Sequence, residues 1–217
     1  MRVKKKDFAY EEIRKLILRR ETSEGVIISE NSLAAELNMS RTPVREALQR
    51  LQMEGFLEIH PNRGVVIPEV SVVEVNETFA LRMAIEEFVI KEIIPLMTEE
   101  HFLQVDELLH RQRESMERRN VLEYLRHDKD FHDFYLRLYS NALIFSTIKR
   151  VRDRFFSMGT AVLRGVGTVE RSFQQHCEIA EAVRRRDPGA AAEAMHRHMV
   201  TGRGNVLSLS GTLENAR

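Results

Sequence analysis

Four residues in the second half of the chain carry side chains that bind divalent metal ions. Asp128 and His132 are four residues apart, so they share one face of a predicted helix. His176 and His198 fall in two further predicted helices. Three imidazoles and one carboxylate suit a metal site in a helical bundle, and nitrogen-rich ligation favours zinc, nickel or iron over magnesium. The alternative is that these are ordinary surface or core histidines, because spacing alone does not show that the helices converge.

A second segment, Ser40–Leu48, has the chemistry of a helix that contacts DNA bases. Arg41 and Arg45 are four residues apart and lie on the face opposite the apolar residues of the same helix. An arginine near the start of a recognition helix can donate two hydrogen bonds to the O6 and N7 atoms of guanine. Ser40 and Thr42 suit phosphate contacts beside the free N–H groups of the helix start. The alternative is a solvated arginine pair without a partner.

Short elements position these arginines in the first 70 residues. Apolar residues at helical spacing predict three helices, and β-branched residues around turn residues predict a hairpin. The predicted helices span residues 7–20, 30–37 and 41–53, and the strands span Phe56–His60 and Val65–Pro68. Arg63 and Gly64 lie at the hairpin tip, where they suit a minor-groove or backbone contact. Two helices joined by a tight turn, followed by a hairpin, predict a winged helix-turn-helix over residues 1–70.

The remaining chain, residues 71–217, has a long helical pattern that positions the four metal-binding candidates. The predicted helices span residues 72–95, 99–119, 121–139, 142–164, 169–186 and 188–207. Residues 208–217 are small and polar, and we expect them to fray. The sequence therefore predicts a mainly α protein, with an N-terminal winged helix-turn-helix and a C-terminal all-helical bundle.

Composition excludes several classes of protein. Lys plus Arg and Asp plus Glu each total 33, so the net charge is zero and a globally basic nucleic-acid coat is excluded. A local basic surface is still compatible with this balance. Cys177 is the single cysteine, which excludes an intrachain disulfide and fits a reducing compartment. No segment has the roughly 20 apolar residues that span a bilayer. We therefore expect a cytoplasmic protein without a membrane partner.

Residues 7–68 resemble the winged helix-turn-helix domain of GntR-type bacterial transcription regulators. The resemblance rests on Ser40–Leu48 and on the pairs Arg50-Leu51, Glu54-Gly55 and Arg63-Gly64. It implies DNA contacts from the recognition helix and the wing tip. The residues to which we assign DNA binding are Ser40, Arg41, Thr42, Arg45, Arg50, Arg63 and Gly64. Some members of the family have a DNA-contacting arginine where Asn31 stands here, which leaves the operator sequence open.

Residues 72–207 resemble the FCD effector domain, which defines the FadR subgroup of the same regulators. The resemblance rests on Asp128-x3-His132, on His176 within Gln175–Ile179, on Asp187 and on His198. Many FCD domains bind a divalent metal ion through one Asp and three His. The resemblance therefore implies that Asp128, His132, His176 and His198 are metal ligands, for zinc, nickel or a similar ion.

Two further residues are candidates for binding an effector. Four protein ligands on an octahedral ion leave two positions that an effector carboxylate can fill. Arg82, in Leu81–Glu86, suits a second acid group, and Asn141 suits a hydrogen bond to the ligand. The alternatives are that Arg82 pairs with Glu86, four residues later, and that Asn141 caps a helix. The metal-ligand set favours a small acid over a long acyl chain.

These features together predict a ligand-responsive transcription regulator and not an enzyme. We expect a homodimer, acting as a repressor, that binds a two-fold double-stranded DNA operator and senses a small carboxylate at the metal site. The alternative is a metal-dependent enzyme on a helical bundle. The sequence weakens that alternative, because it has no clear general base beside the site, Glu178 being a weak candidate, and no nucleophile motif or phosphate loop.

Overall fold

The structure is a computed structural model that describes residues 5–19, 29–53, 57–61, 64–66, 71–162 and 167–214. Side chains are described for all of these except residues 17–19, 153–162 and 209–214. The chain divides into two compact units at Val70 and Ser71, except that Asp153–Ser157 groups with the first unit.

Three helices and a two-stranded hairpin make up the first unit. They are α1 (Lys5–Arg19), α2 (Glu30–Glu36), α3 (Arg41–Met53), β1 (Glu58–His60) and β2 (Gly64–Val66). The strands pair antiparallel, with Ile59 opposite Val65 and His60 opposite Gly64. Gly64 has a φ of 100°, in the region that favours glycine, and it begins the second strand. The predicted helix-turn-helix and hairpin are confirmed. The first strand begins at Glu58, after Leu57, and residues 56, 67 and 68 of the predicted strands lie outside the described residues.

A tight turn joins α2 to α3. The Ser29 hydroxyl accepts a hydrogen bond from the Ser32 amide at 2.9 Å and so caps the start of α2. Asn38 adopts a φ of 50° after α2, and the Met39 amide donates to the Ala34 carbonyl at 2.9 Å. Apolar side chains from the three helices and β2, with Leu57 just before β1, form one core: Ala9, Ile13, Leu33, Val44, Leu48, Leu51, Leu57 and Val65. This core holds α3 with its polar face outward.

Six longer helices are described from Ser71 onward, and all of them except Asp153–Ser157 of the fourth helix lie in the second unit. They are α4 (Val72–Ile93), α5 (Glu99–Glu117), α6 (Val121–Leu138), α7 (Ala142–Val162), α8 (Thr168–Arg184) and α9 (Pro188–Glu214). A 3-10 turn at Ile94–Leu96 ends α4, because Pro95 cannot continue the helix. The all-helical prediction for this region is confirmed.

The end of the chain differs from the sequence prediction. Residues 208–214 continue α9, so the predicted end of this helix at residue 207 is wrong. Residues 215–217 lie outside the described residues. The segment has no proline to stop the helix, and the Ser208 hydroxyl donates to the Gly204 carbonyl at 2.8 Å, within the helix.

The packing of the second unit brings four helices around one interior. The last helix, α9, packs against both α4 and α8, and α6 packs against α4 and α5. As a result, polar residues on the inner faces of α4, α6, α8 and α9 can meet. Within the described ranges, no helix combines the length and apolarity needed to cross a membrane.

Candidate metal centre and DNA-contacting helix

The four predicted metal ligands lie together inside the second unit. Asp128 and His132 come from α6, His176 from α8 and His198 from α9, and their donor atoms all lie within 4.8 Å of one another. The Nε2 atom of His198 is 3.2 Å from Nε2 of His132 and 3.3 Å from Nε2 of His176. Oδ1 of Asp128 is 3.5 Å from Nε2 of His176. Tertiary packing therefore supplies the convergence that spacing alone could not show.

The spacing of these donor atoms fits a single divalent ion. Two imidazole nitrogens that bind one ion at about 2.1 Å lie about 3.0 Å apart at a right angle and about 3.4 Å apart at the tetrahedral angle. The two nitrogen–nitrogen distances at His198, 3.2 and 3.3 Å, fall between these values. Three nitrogens and one oxygen are also the donor set that zinc, nickel and iron accept.

Burial favours the uncharged, metal-binding form of His176 and His198. His132, His176 and His198 are all buried. Burial lowers the pKa of His176 well below its usual value, and the neighbouring His132 and Arg82 lower it further. Burial and the neighbouring His176 and His132 lower the pKa of His198 in the same way. Neutral imidazoles present a lone pair, so the cluster is suited to a cation.

Two residues outside the cluster orient its rings. Oε1 of Gln112 is 2.7 Å from Nδ1 of His176, and Oε2 of Glu86 is 2.7 Å from Nδ1 of His132. The Gln112 oxygen can only accept, so Nδ1 of His176 carries the hydrogen and its Nε2 faces the cluster with its lone pair, while the Glu86 carboxylate lies beside Nδ1 of His132. Histidines that bind metals are usually oriented by such partners. The pattern supports a metal-binding arrangement over chance burial.

The carboxylate of Glu86 stays ionised although it lies in the core. Burial raises its pKa, but the Arg82 guanidinium and the neighbouring His132 outweigh burial and hold the pKa of Glu86 well below its usual range. Nε of Arg82 donates to Oε1 of Glu86 at 2.8 Å. One carboxylate therefore connects Arg82 to a metal-ligand candidate, His132.

Sequence reasoning missed the roles of Glu86 and Gln112 toward the histidines. It identified Glu86 only as a partner for Arg82, since a contact between α4 and α6 leaves no trace in spacing. Gln112 carried a weak signal, because it interrupts the buried face of α5, which also includes Phe102 and Val105. A polar residue in an apolar stripe indicates a buried hydrogen bond, but it does not identify the partner.

Both effector-binding candidates make the contacts named as their alternatives. Arg82 is buried and pairs with Glu86 through Nε, and no hydrogen bond from its other nitrogens is recorded among the described residues. The Asn141 side chain accepts from the amides of Leu143 and Ile144, both at 3.1 Å, and so caps α7. Asn141 is exposed. In the part of the chain that the structure describes, no contact joins it to the metal-ligand candidates.

One histidine near the cluster lies outside it. His196 is two residues before His198 on α9, and its side chain is exposed. Its Nδ1 is 2.8 Å from Oε1 of Glu87. One turn of the helix therefore presents one buried and one exposed histidine, as the helical period requires.

The predicted DNA-contacting residues of α3 lie on its exposed face. Ser40, Arg41, Thr42 and Arg45 are all exposed, whereas Val44, Ala47, Leu48 and Leu51 of the same helix are buried. The side chain of Arg45 contacts Glu30 of α2, with Nε 2.8 Å from Oε1 and Nη2 3.3 Å from Oε2. The predicted division of α3 into a polar and an apolar face is confirmed.

The other predicted DNA-contacting residues are placed differently. The Arg50 guanidinium lies over the Tyr10 ring, 3.9 Å from its centroid, and 3.8 Å from Oδ1 of Asp7. These contacts hold Arg50 against α1. Gly64 begins β2, as described above. Arg63 lies outside the described residues.

Comparison with known families accounts for most of the chain. Residues 5–67 match the family described as bacterial regulatory proteins, gntR family. Residues 77–201 match the FCD domain. The first range contains the helix-turn-helix and the hairpin, and the second contains all four metal-ligand candidates.

Individual relatives agree with these matches. The chain is 29% identical over 175 residues to the HTH-type transcriptional repressor RspR of Escherichia coli K12, covering 81% of this chain and 77% of that protein. It is 26% identical over 203 residues to the gluconate operon transcriptional repressor of Bacillus licheniformis, covering 91% of this chain and 83% of the relative.

Solved structures share the fold. The structure of E. coli McbR/YncC superposes with a TM-score of 0.72 at 17% identity, over 96% of this chain and 100% of that one. A putative GntR regulator from Rhodococcus sp. RHA1 superposes with a TM-score of 0.71 at 20% identity, over 94% of this chain and 97% of that one.

The matched families are DNA-binding regulators, which sets aside the alternative of a metal-dependent enzyme. The fold agrees with both family matches. The range matched to the gntR family contains the helix-turn-helix and hairpin, and the range matched to the FCD domain contains the helical bundle. The chain belongs to the GntR family of bacterial transcription regulators and carries an FCD domain.

Proposed function

We propose that this protein is a cytoplasmic transcriptional repressor that senses a small carboxylate at a metal site. Residues 1–70 bind operator DNA and residues 71–217 bind the metal ion, the effector and a second copy of the chain. The observation that carries the proposal is the convergence of Asp128, His132, His176 and His198, with Glu86 and Gln112 behind two of the rings.

The assignment as a repressor is supported by relatives. RspR and the gluconate operon protein are both named transcriptional repressors. A repressor that leaves its operator when a metabolite binds needs an effector that favours one conformation of the helical bundle over another. The operator is two-fold symmetric, because a homodimer presents two recognition helices to successive major grooves.

The buried cluster has the chemistry to bind an anion as well as a cation. A divalent ion held by the three histidines and Asp128 supplies a Lewis-acid centre for an effector carboxylate. Arg82 pairs with Glu86 through Nε, which leaves its remaining N–H groups for a second acidic group of the effector. The low polarity of the interior strengthens both interactions. These features favour a small acid with at least two oxygen-bearing groups.

The metal site is tested by analysis of purified protein, comparing His198→Ala with His196→Ala. Both variants remove one imidazole from the same turn of α9, but His198 is buried in the cluster and His196 is exposed. We expect about one metal ion per chain in the wild type and in His196→Ala, and a clear loss in His198→Ala. Equal metal content in all three proteins would contradict the ligand assignment.

The effector is tested on the same metal-loaded protein by thermal shift with a panel of small organic acids. We expect at least one acid to raise the melting temperature of the loaded wild type, because a ligand that binds the folded state stabilises it. The rise should be lost after chelation. A wild type that binds no metal after reloading, or responds to acids equally with and without metal, would overturn the proposed sensing mechanism.

A further inference from the structure

We propose that Glu30 is a positioning residue that orients the Arg45 guanidinium for guanine, and that it thereby sets the base preference of α3. The inference rests on the proposed function, in which Arg45 contacts a base. Its starting observation is the two-point contact between these side chains, from Nε to Oε1 at 2.8 Å and from Nη2 to Oε2 at 3.3 Å.

The geometry leaves the base-contacting edge of Arg45 available. A guanidinium has five N–H donors, one on Nε and two on each Nη. The Glu30 carboxylate occupies Nε–H and one N–H of Nη2, along one side of the group. The end of the group keeps one N–H on each Nη, side by side. That pair can donate two hydrogen bonds to O6 and N7 of guanine.

The carboxylate is anchored in a well-packed part of the first unit. Glu30 is the first residue of α2, directly after the Ser29 cap. Leu33 and Ala34 of α2 are buried in the same core as Val44 and Leu48 of α3. The backbones that carry Glu30 and Arg45 are therefore held in a fixed relation. A rigid anchor lets the carboxylate restrict the many rotamers of a long arginine side chain.

Among the described residues, Arg41, the other arginine on this face, has no acidic partner of this kind. It is exposed, and no hydrogen bond or ion pair is recorded for it among the residues that the structure describes. Ordering its side chain on DNA therefore costs more conformational entropy than ordering Arg45. An exposed ion pair contributes little to stability by itself, so the contact matters mainly through orientation.

The test uses the full-length protein and two DNA probes. The wild type first selects a consensus duplex from a randomised library, and a shuffled duplex of the same composition serves as the second probe. Fluorescence anisotropy then gives the ratio of the two affinities. We expect Glu30→Ala to lower this ratio by about 3- to 10-fold. The affinity ratio of Glu30→Gln should fall between those of the wild type and Glu30→Ala, because the amide oxygen of Gln still accepts from Nε–H.

The matched control is Glu46→Ala. Glu46 is exposed on α3 and lies 3.9 Å from Lys6, so the variant removes one negative charge from the same unit without touching Arg45. Loss of a negative charge should strengthen binding to both duplexes alike, leaving their ratio within about twofold. A second measurement uses a consensus duplex in which the contacted guanine is replaced by another base. This replacement should reduce the affinity of Glu30→Ala by a smaller factor than it reduces the affinity of the wild type.

Arg45→Ala separates failure of this inference from failure of the proposed function. If Arg45→Ala leaves the affinity ratio unchanged, Arg45 contacts no base, and both proposals are wrong on this point. If Arg45→Ala lowers the ratio but Glu30→Ala behaves like Glu46→Ala, the positioning role alone is overturned. If Glu30→Ala instead strengthens binding to the consensus duplex selectively, Glu30 masks Arg45 and the proposal is also overturned.

Discussion

The orientation of His176 depends on one buried amide. Gln112 is fully buried, its Oε1 lies 2.7 Å from Nδ1 of His176, and its Nε2 donates to the His127 carbonyl at 3.2 Å. Both ends of the amide are therefore engaged, which fixes which end faces the ring. Phe131 stacks on the same ring, with centroids 4.4 Å apart. Together these contacts leave Nε2 as the atom that faces the other donors.

Gln112→Leu should weaken metal binding without removing a ligand. The variant leaves Nδ1–H of His176 without its acceptor, and loss of such a partner typically lowers metal affinity by about 10- to 100-fold. Competition with a chelator of known affinity measures this change. Gln104→Leu makes the same substitution at an exposed position of α5 and should leave the affinity unchanged. Equal affinities in both variants would contradict the orienting role of Gln112.

Residue types and spacing anticipated part of this site. The four-residue spacing of Asp128 and His132 placed both on one face of a helix, which the structure confirms. The contact of Glu86 with His132 could not be anticipated, because it joins α4 to α6. Hydrogen bonds between helices depend on packing, and packing leaves no periodic signal in the sequence.

The start of α9 shows how local chemistry determines an element. Oδ1 of Asp187 accepts from the Ala190 amide at 2.9 Å, and Pro188 occupies the first helical position. The sequence analysis predicted this boundary from the same two residues, and the structure confirms it. Proline suits this position because its missing N–H would have no helical partner there.

Asp187→Ala should destabilise the helical unit while leaving the metal site intact. Loss of a capping side chain typically costs about 0.5–2 kcal/mol of unfolding free energy. Urea denaturation monitored by circular dichroism measures the loss. Asp130→Ala, at an exposed position inside α6, is the control and should change the unfolding free energy by less than about 0.5 kcal/mol. If the two variants unfold alike, the cap contributes nothing measurable.

A molecule with zero net charge must bind DNA through a local surface. The 33 basic and 33 acidic residues cancel, so long-range attraction to DNA is weak. The exposed face of α3 concentrates Arg41, Thr42 and Arg45, and we expect it to supply contacts that replace counterions along the phosphate backbone. Affinity should therefore depend on salt through these contacts and not through the whole surface.

Operator affinity should fall steeply as salt rises. With about six phosphate contacts per dimer, the affinity drops by roughly 1,000-fold between about 50 and 200 mM monovalent salt. Anisotropy titrations at several salt concentrations measure how the affinity for the consensus duplex and the affinity for the shuffled duplex each change with salt. The ratio of the two affinities should change far less than either affinity alone. A flat dependence for both duplexes would mean that phosphate contacts do not carry the binding.

The sequence by itself determined the helices, the helix-turn-helix with its hairpin, and the residue types available for metal and DNA binding. These features follow from local rules: periodicity, caps, prolines and the spacing of side chains on one helix face. Tertiary structure alone decided that His176 and His198 meet Asp128 and His132, and that Glu30 holds Arg45. Those contacts join residues far apart in the chain, and only the burial of apolar faces brings their helices together.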